Sequence, residues 1–267
     1  MSLANPFLLS ALVAILLAAV ATGIVGTLSV ANRMVSVGGG LAHAAYGGLG
    51  IAFLFGWAPL PVTILFTLLF ALALSWMQEH VREASDTLTG VLWALGMAVG
   101  ILATDLSRRY AGDLSAVLFG SLLAIPRSDL WALALLDVLL VPCAFLFRRA
   151  LLALAIDAEF AEASGLPVRW LRLGLLAAVS LSVVLLMRVA GLVLMVALLS
   201  IPGSLAIRWS KSLGRAMWLA TALTLGFGLV GLSLSWRFDL SSGAAIIAVA
   251  GLFYLVATLS GAVRGRG

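Results

Sequence analysis

Charge is scarce in this sequence: Asp, Glu, Lys and Arg together make up 10% of 267 residues, against 63% hydrophobic residues. A water-soluble domain has nowhere to hide that much apolar surface, whereas helices that face lipid have no need to hide it. Cysteine is nearly missing too. With one Cys in the chain, an intrachain disulfide is excluded, and Cys143, set in an apolar run, is expected to pack as a small buried hydrophobe. Lysine occurs once, as Lys211 after Trp209-Ser210. A phosphate-binding loop needs Lys after Gly and before Ser or Thr, so no ATP site is expected in this chain. Short alternating strands are also lacking, which argues against a membrane barrel.

What the sequence has in abundance is charge-poor stretches of spanning length, about 20 residues each. Nine candidates cover residues 7–29, 37–56, 60–78, 87–105, 129–147, 170–188, 190–209, 213–235 and 242–260. The fold class is therefore all-α, a polytopic transmembrane protein. No soluble domain, repeat or low-complexity linker is evident, and residues 1–267 read as one integral membrane domain. The first run is too long for the apolar part of a signal peptide and has no basic residue before it.

The net charge of +5 would suggest a nucleic-acid partner on a soluble protein, but here the basic residues fall between spans and act as topology signals. Arg33, Arg82, Arg148, Arg149, Arg169, Arg172, Arg208, Lys211, Arg215, Arg264 and Arg266 lie in loops of one side. Arg108, Arg109, Arg127, Arg188 and Arg237 lie on the other. This imbalance predicts an outside N-terminus and a cytoplasmic C-terminus, in a bacterial inner membrane. Two connections differ from simple turns. Residues 106–128 hold an apolar piece too short to cross, expected to be an outer re-entrant helix. Residues 148–172 are expected to form the longest cytoplasmic connection, with one short helix that stops at Gly165, before Leu166-Pro167.

Ionisable groups inside spans mark functional sites by default. His43 follows Gly38-Gly39-Gly40, about two turns into the second helix. The glycines allow a bend or a close backbone approach, and a neutral imidazole there suits a transient metal ligand; a histidine bonding between helices is the structural alternative. Asp137, mid-span, either lines a pathway or pairs with a polar partner, pairing being the commoner outcome for a buried charge. Asp86 reads as a helix N-cap and His80 as a solvated residue. Pro202 frees backbone groups inside a span and marks a gating bend or a tolerated kink. One histidine and one aspartate do not assemble a nucleophile, base and orienter, so an enzyme is not expected.

Several ordered motifs resemble one family. Arg33-Met34-Val35-Ser36 leads into Leu41-Ala42-His43-Ala44; Asp86-Thr87-Leu88-x-Gly90 opens a helix; Leu118-Phe119-Gly120-x-Leu122-Leu123 follows. Further on come Gly191 through Ala197-Leu198-Leu199-x-x-Pro202 and Asp239-x-x-x-Gly243. In order and spacing, from Arg33 to Ala257, they are similar to the permeases of zinc, manganese and iron ABC importers (ZnuB/MntB-like). The resemblance implies two permease copies about a two-fold axis, a cytoplasmic ABC ATPase dimer carrying ATP and Mg, and an extracytoplasmic metal-binding protein. It implies that residues 157–165, with Asp157, Glu159, Ala161 and Gly165, are the coupling helix to the ATPase. The transported divalent metal, zinc in preference to manganese, would meet His43 from both protomers. The family has Asp four residues before this histidine, where this chain has Gly39, and loss of that oxygen ligand disfavours manganese.

Overall fold

The computed structural model describes residues 6–81, 85–107 and 125–264, and the described residues form ten helices with no strand. They are α1 (Pro6–Ala31), α2 (Val35–Phe55), α3 (Pro59–His80), α4 (Ser85–Leu106), α5 (Arg127–Ile156), α6 (Ala158–Ala163), α7 (Val168–Ala190), α8 (Leu192–Trp209), α9 (Leu213–Phe238) and α10 (Ser242–Arg264). All but α6 are long and apolar enough to cross a bilayer, and they correspond one to one with the nine expected spans. The physical reason is the solvent: in hydrocarbon each N–H and C=O must be satisfied within the segment, so a long apolar run becomes a helix.

Breaks between helices follow local chemistry. Pro59 opens α3, where a missing N–H is harmless. Gly165 (φ 81°) ends the α6 turn and Gly191 (φ 83°) forms the whole joint between α7 and α8; glycine takes these backbone angles without a Cβ penalty. Asp157 caps α6 by accepting a hydrogen bond from the Phe160 N–H at 3.0 Å.

Burial separates a centre from a rim. The spans of α2 and α7 are 72% and 67% buried, whereas those of α3, α4, α5 and α10 are each 28% buried. α1 packs on α5, α7, α8 and α9; α2 packs on α3 and α4 and touches α7 and α8. Lipid gives no hydrophobic incentive for helices to associate, so close contact depends on small side chains. Thus a Cβ added at Gly26 of α1 would lie 2.6 Å from the Leu199 carbonyl oxygen, and one at Gly203 of α8 would lie 2.9 Å from the Gly26 carbonyl group. At its first turn α5 is joined to the end of α7 by a forked ion pair. Arg188 Nε donates to Asp129 Oδ2 at 3.0 Å, and a second guanidinium nitrogen donates to Oδ1 at 3.2 Å.

Three expectations change. α5 continues to Ile156, so Arg148 and Arg149 lie on a helix rather than in a loop, and the connection to α7 is correspondingly short. Their charged ends stay exposed while the helix below them remains apolar. Cys143 is exposed, not buried, because it lines an open groove between α1, α5 and α7. Asp86 is the second residue of α4 rather than its cap, since the helix already begins at Ser85. Of the two readings of the glycine triplet, a bend or a close approach, Gly40 shows the close approach, to Thr89, while α2 runs unbroken from Val35 to Phe55. The anticipated outer re-entrant helix falls largely on residues 108–124, outside the described residues.

Candidate functional site

Three consecutive glycines on a helix point in three directions, about 100° apart. Gly38 faces the centre, where an added Cβ would make ordinary contacts of 3.7 Å with Leu199 and Val179. Gly40 faces α4, and its Cβ would sit 2.9 Å from Thr89 Cγ2. Gly39 faces open space, with nothing within 4 Å. The open side of α2 therefore carries Ser36, Gly39 and His43, residues spaced by three and four. Beside it α4 presents Asp86, Gly90 and Trp93, all exposed, and Gly90 likewise has nothing within 4 Å of an added Cβ.

The two helices run parallel along this face. Ser36 Oγ donates to Asp86 Oδ1 at 3.4 Å, and one level deeper the His43 and Trp93 rings lie 4.3 Å apart between centroids, tilted by 43°. His43 is eight residues beyond Val35, about 12 Å along the axis, which brings it close to the middle of a hydrocarbon layer ~30 Å thick. Past Trp93 the face closes. An added Cβ at Gly47 would meet the Gly96 carbonyl oxygen at 2.6 Å, one at Gly96 would meet Ala44 Cα at 2.7 Å, and Gly50 abuts Gly100. The result is an open polar face on α2 and α4 that ends where glycine-on-glycine packing begins.

The protonation of His43 follows from its neighbour. Its Nδ1 is 2.8 Å from the Gly39 carbonyl oxygen. A carbonyl can only accept, so in neutral imidazole the hydrogen is on Nδ1 and the lone pair on Nε2. That arrangement is the one found in metal-binding histidines, where the other ring nitrogen donates to a carbonyl or carboxylate and fixes the ring. Trp93 restrains the ring from the side.

Other residues singled out in the sequence lie elsewhere. Asp137 is buried on α5, which packs on α1 and α7, and neither carboxylate oxygen has a hydrogen-bond partner among the described residues; the expected pairing is not seen. No group of three or more His, Cys, Asp or Glu residues able to hold a metal occurs among the described residues. Pro202 is buried within α8, next to the Gly203–Gly26 contact, and belongs to that packing rather than to the His43 face. In the α6 segment Ala161 is fully buried and anchors the helix, while Asp157, Glu159, Gly165 and Phe160 are exposed. The sequence reading missed Trp93 and the stripe of Gly96 and Gly100; the small-xxx-small spacing of the latter pair was the available signal.

Among the described residues, a bundle of nine apolar spans with an open polar face reaching mid-membrane fits the membrane subunit of a transport system. The chain belongs to the ABC 3 transport family, whose pattern matches residues 4–261, and so is an ABC-type permease. It is 45% identical over 250 residues to the uncharacterised membrane protein slr2045 of Synechocystis, covering 94% of this chain and 89% of that one. It is 28% identical over 259 residues to the manganese transport system membrane protein MntC of Listeria innocua, covering 97% and 92%. Among solved structures, the PsaBC complex of Streptococcus pneumoniae with a Fab superposes with a TM-score of 0.85 at 26% identity, covering 95% of this chain and 91% of the matched one.

Proposed function

We propose that this chain is the permease subunit of an ATP-driven importer that moves a divalent transition metal from the outer side to the cytoplasm. Two copies pack about a two-fold axis, and each contributes one His43 to a transient station on the path. The observation that carries this reading is the imidazole itself: Nδ1 is committed to the Gly39 carbonyl, which leaves the Nε2 lone pair for a ligand on the open face beside Gly39. A borderline ion such as zinc accepts imidazole readily, and with Gly39 in place of a carboxylate the face offers manganese little oxygen ligation. Few ligands also suit a conduit, since an ion must leave as easily as it enters. The same open Gly39 leaves room for a metal chelate or another small solute, which is the second reading.

The remaining parts of the proposal rest on family membership and on α6. A partner ATPase dimer holds ATP and Mg, and an extracytoplasmic metal-binding protein delivers the cargo. α6 docks on the ATPase through Asp157, Glu159 and exposed Phe160, with Ala161 as its inward anchor and Gly165 as its stop. Asp137 is a weaker candidate for the path, as an unpartnered carboxylate within a span.

The test is zinc uptake by the complete transporter in proteoliposomes. His43→Ala should lower uptake at least about tenfold while leaving the amount of assembled complex unchanged, as expected for loss of a ligand from each copy. His43→Gln keeps a hydrogen-bonding side chain but offers no imidazole nitrogen. Uptake by His43→Gln equal to wild type would assign the residue to packing and remove it from the path. Uptake of a chelate but not of the free ion by the wild-type transporter would favour the second reading.

A further inference from the structure

We infer that α1, α5 and α7 together bind one phospholipid with an anionic headgroup. Two adjoining hollows make this site. The first is an apolar groove of about 430 Å³, lined among others by Leu28, Leu140, Phe147, Leu151, Trp170 and Leu175. Its lining on α5 runs from Leu136 to Leu151, about 22 Å of helix. That is long enough to follow an acyl chain through the ~15 Å of hydrocarbon in one leaflet, and far too elongated for a compact solute. The second hollow, about 190 Å³, is polar and is lined by Asn32, Arg33, Gln78 and Arg172 with Met34, Val37, Leu154 and Leu176.

The hollows adjoin along α1, α5 and α7, and α2 and α3 add Val37 and Gln78 to the polar one. One turn separates Leu28 of α1 from Asn32 just past its end, and Leu151 from Leu154 on α5; on α7 Leu171 and Leu175 of the groove adjoin Arg172 and Leu176 of the polar hollow. On α1 and α5 the cationic hollow therefore lies nearer the helix ends, while on α7 it lies level with the groove, on the neighbouring face. Among the described residues neither lining contains an acidic residue, and α7 carries Arg169, Arg172 and Arg188 without any Asp or Glu. An apolar slot that adjoins two guanidinium groups is complementary to an acyl chain carrying a phosphate, and clusters of this kind between membrane helices favour anionic headgroups.

Cys143 lines the groove and is the chain's single cysteine, so its modification by a maleimide reports occupancy directly. The full-length permease, purified in detergent, is titrated with phosphatidylglycerol or phosphatidylcholine. Phosphatidylglycerol should slow Cys143 modification at roughly 25-fold lower mole fraction than phosphatidylcholine, given about a fivefold preference for each of Arg33 and Arg172. Arg33→Gln with Arg172→Gln should abolish that preference. Gly174, in the groove wall with nothing within 4 Å of an added Cβ, provides a variant independent of charge. Gly174→Leu fills the slot, and native mass spectrometry should then find phosphatidylglycerol lost from a protein that still elutes as a single species. Equal protection by the two lipids would overturn the inference, as would retention of phosphatidylglycerol by Gly174→Leu. Protection that follows protein concentration instead of lipid would assign the groove to a second copy of the chain and equally overturn it.

Discussion

The two ends of the contact between α2 and α4 use the same residue for opposite purposes. At Gly47, Gly50, Gly96 and Gly100 the missing side chain lets two backbones touch, and any Cβ would overlap the neighbouring helix. At Gly39 and Gly90, a few turns away, the missing side chain leaves a gap that no protein atom fills. The first group lowers the energy of the bundle through close packing and Cα–H contacts with carbonyls. The second adds nothing to packing and weakens the helix by about 0.5–1 kcal/mol per residue relative to alanine. A glycine that costs stability without any contact in return is where space itself has a use, and that space borders His43.

This contrast can be broken or sharpened by substitution. The largest effect is expected at the sealed end. Gly50→Val would force α2 and α4 apart, with a cost of about 3 kcal/mol or more, at the upper edge of overpacking penalties; size-exclusion profiles after heating should show most of the folded protein lost. A middle-sized effect is expected at Gly39→Asp. The side chain has room, so protein level should stay near wild type, while the new carboxylate, one turn from His43, should raise manganese uptake relative to zinc. Competition between the two ions in proteoliposomes measures this. If Gly39→Asp lost as much folded protein as Gly50→Val, the open end would be a packed surface and the contrast would fail. The smallest effect is expected at Gly90→Ala, where a methyl enters empty space and helix propensity improves; thermal stability should hold or rise by up to about 1 kcal/mol.

The asymmetry also explains which features could be read from the sequence. The nine spans were legible because a lipid solvent makes length and apolarity sufficient grounds for a helix, independent of any partner. His43 stood out for the same reason, as an ionisable group amid apolar residues. What was not legible depends on which helices meet. Trp93 reads as one more aromatic in a span until α4 is laid beside α2. Asp129 and Arg188 are 59 positions apart, and Arg188 alone resembles an ordinary loop charge. Arg148 and Arg149 suggested the end of a span, yet α5 continues for two more turns beneath them because long side chains can carry their charge away from the apolar flank. The expectation that Asp137 is paired failed because it relied on a general tendency of buried charges and named no partner.

The length of α5 sets a clearance. With 30 residues it is a rod of about 45 Å, against a hydrocarbon layer of ~30 Å. Even with a moderate tilt, several ångströms of it stand beyond the apolar layer, on the end that carries α6. The six-residue α6 is therefore mounted on a post rather than laid on the lipid surface, and Phe160 at its outward face is offered to water instead of sinking among acyl chains. Any protein that grips this segment can do so without brushing against headgroups, and a push on it enters the bundle through the two helix ends that hold it, α5 and α7.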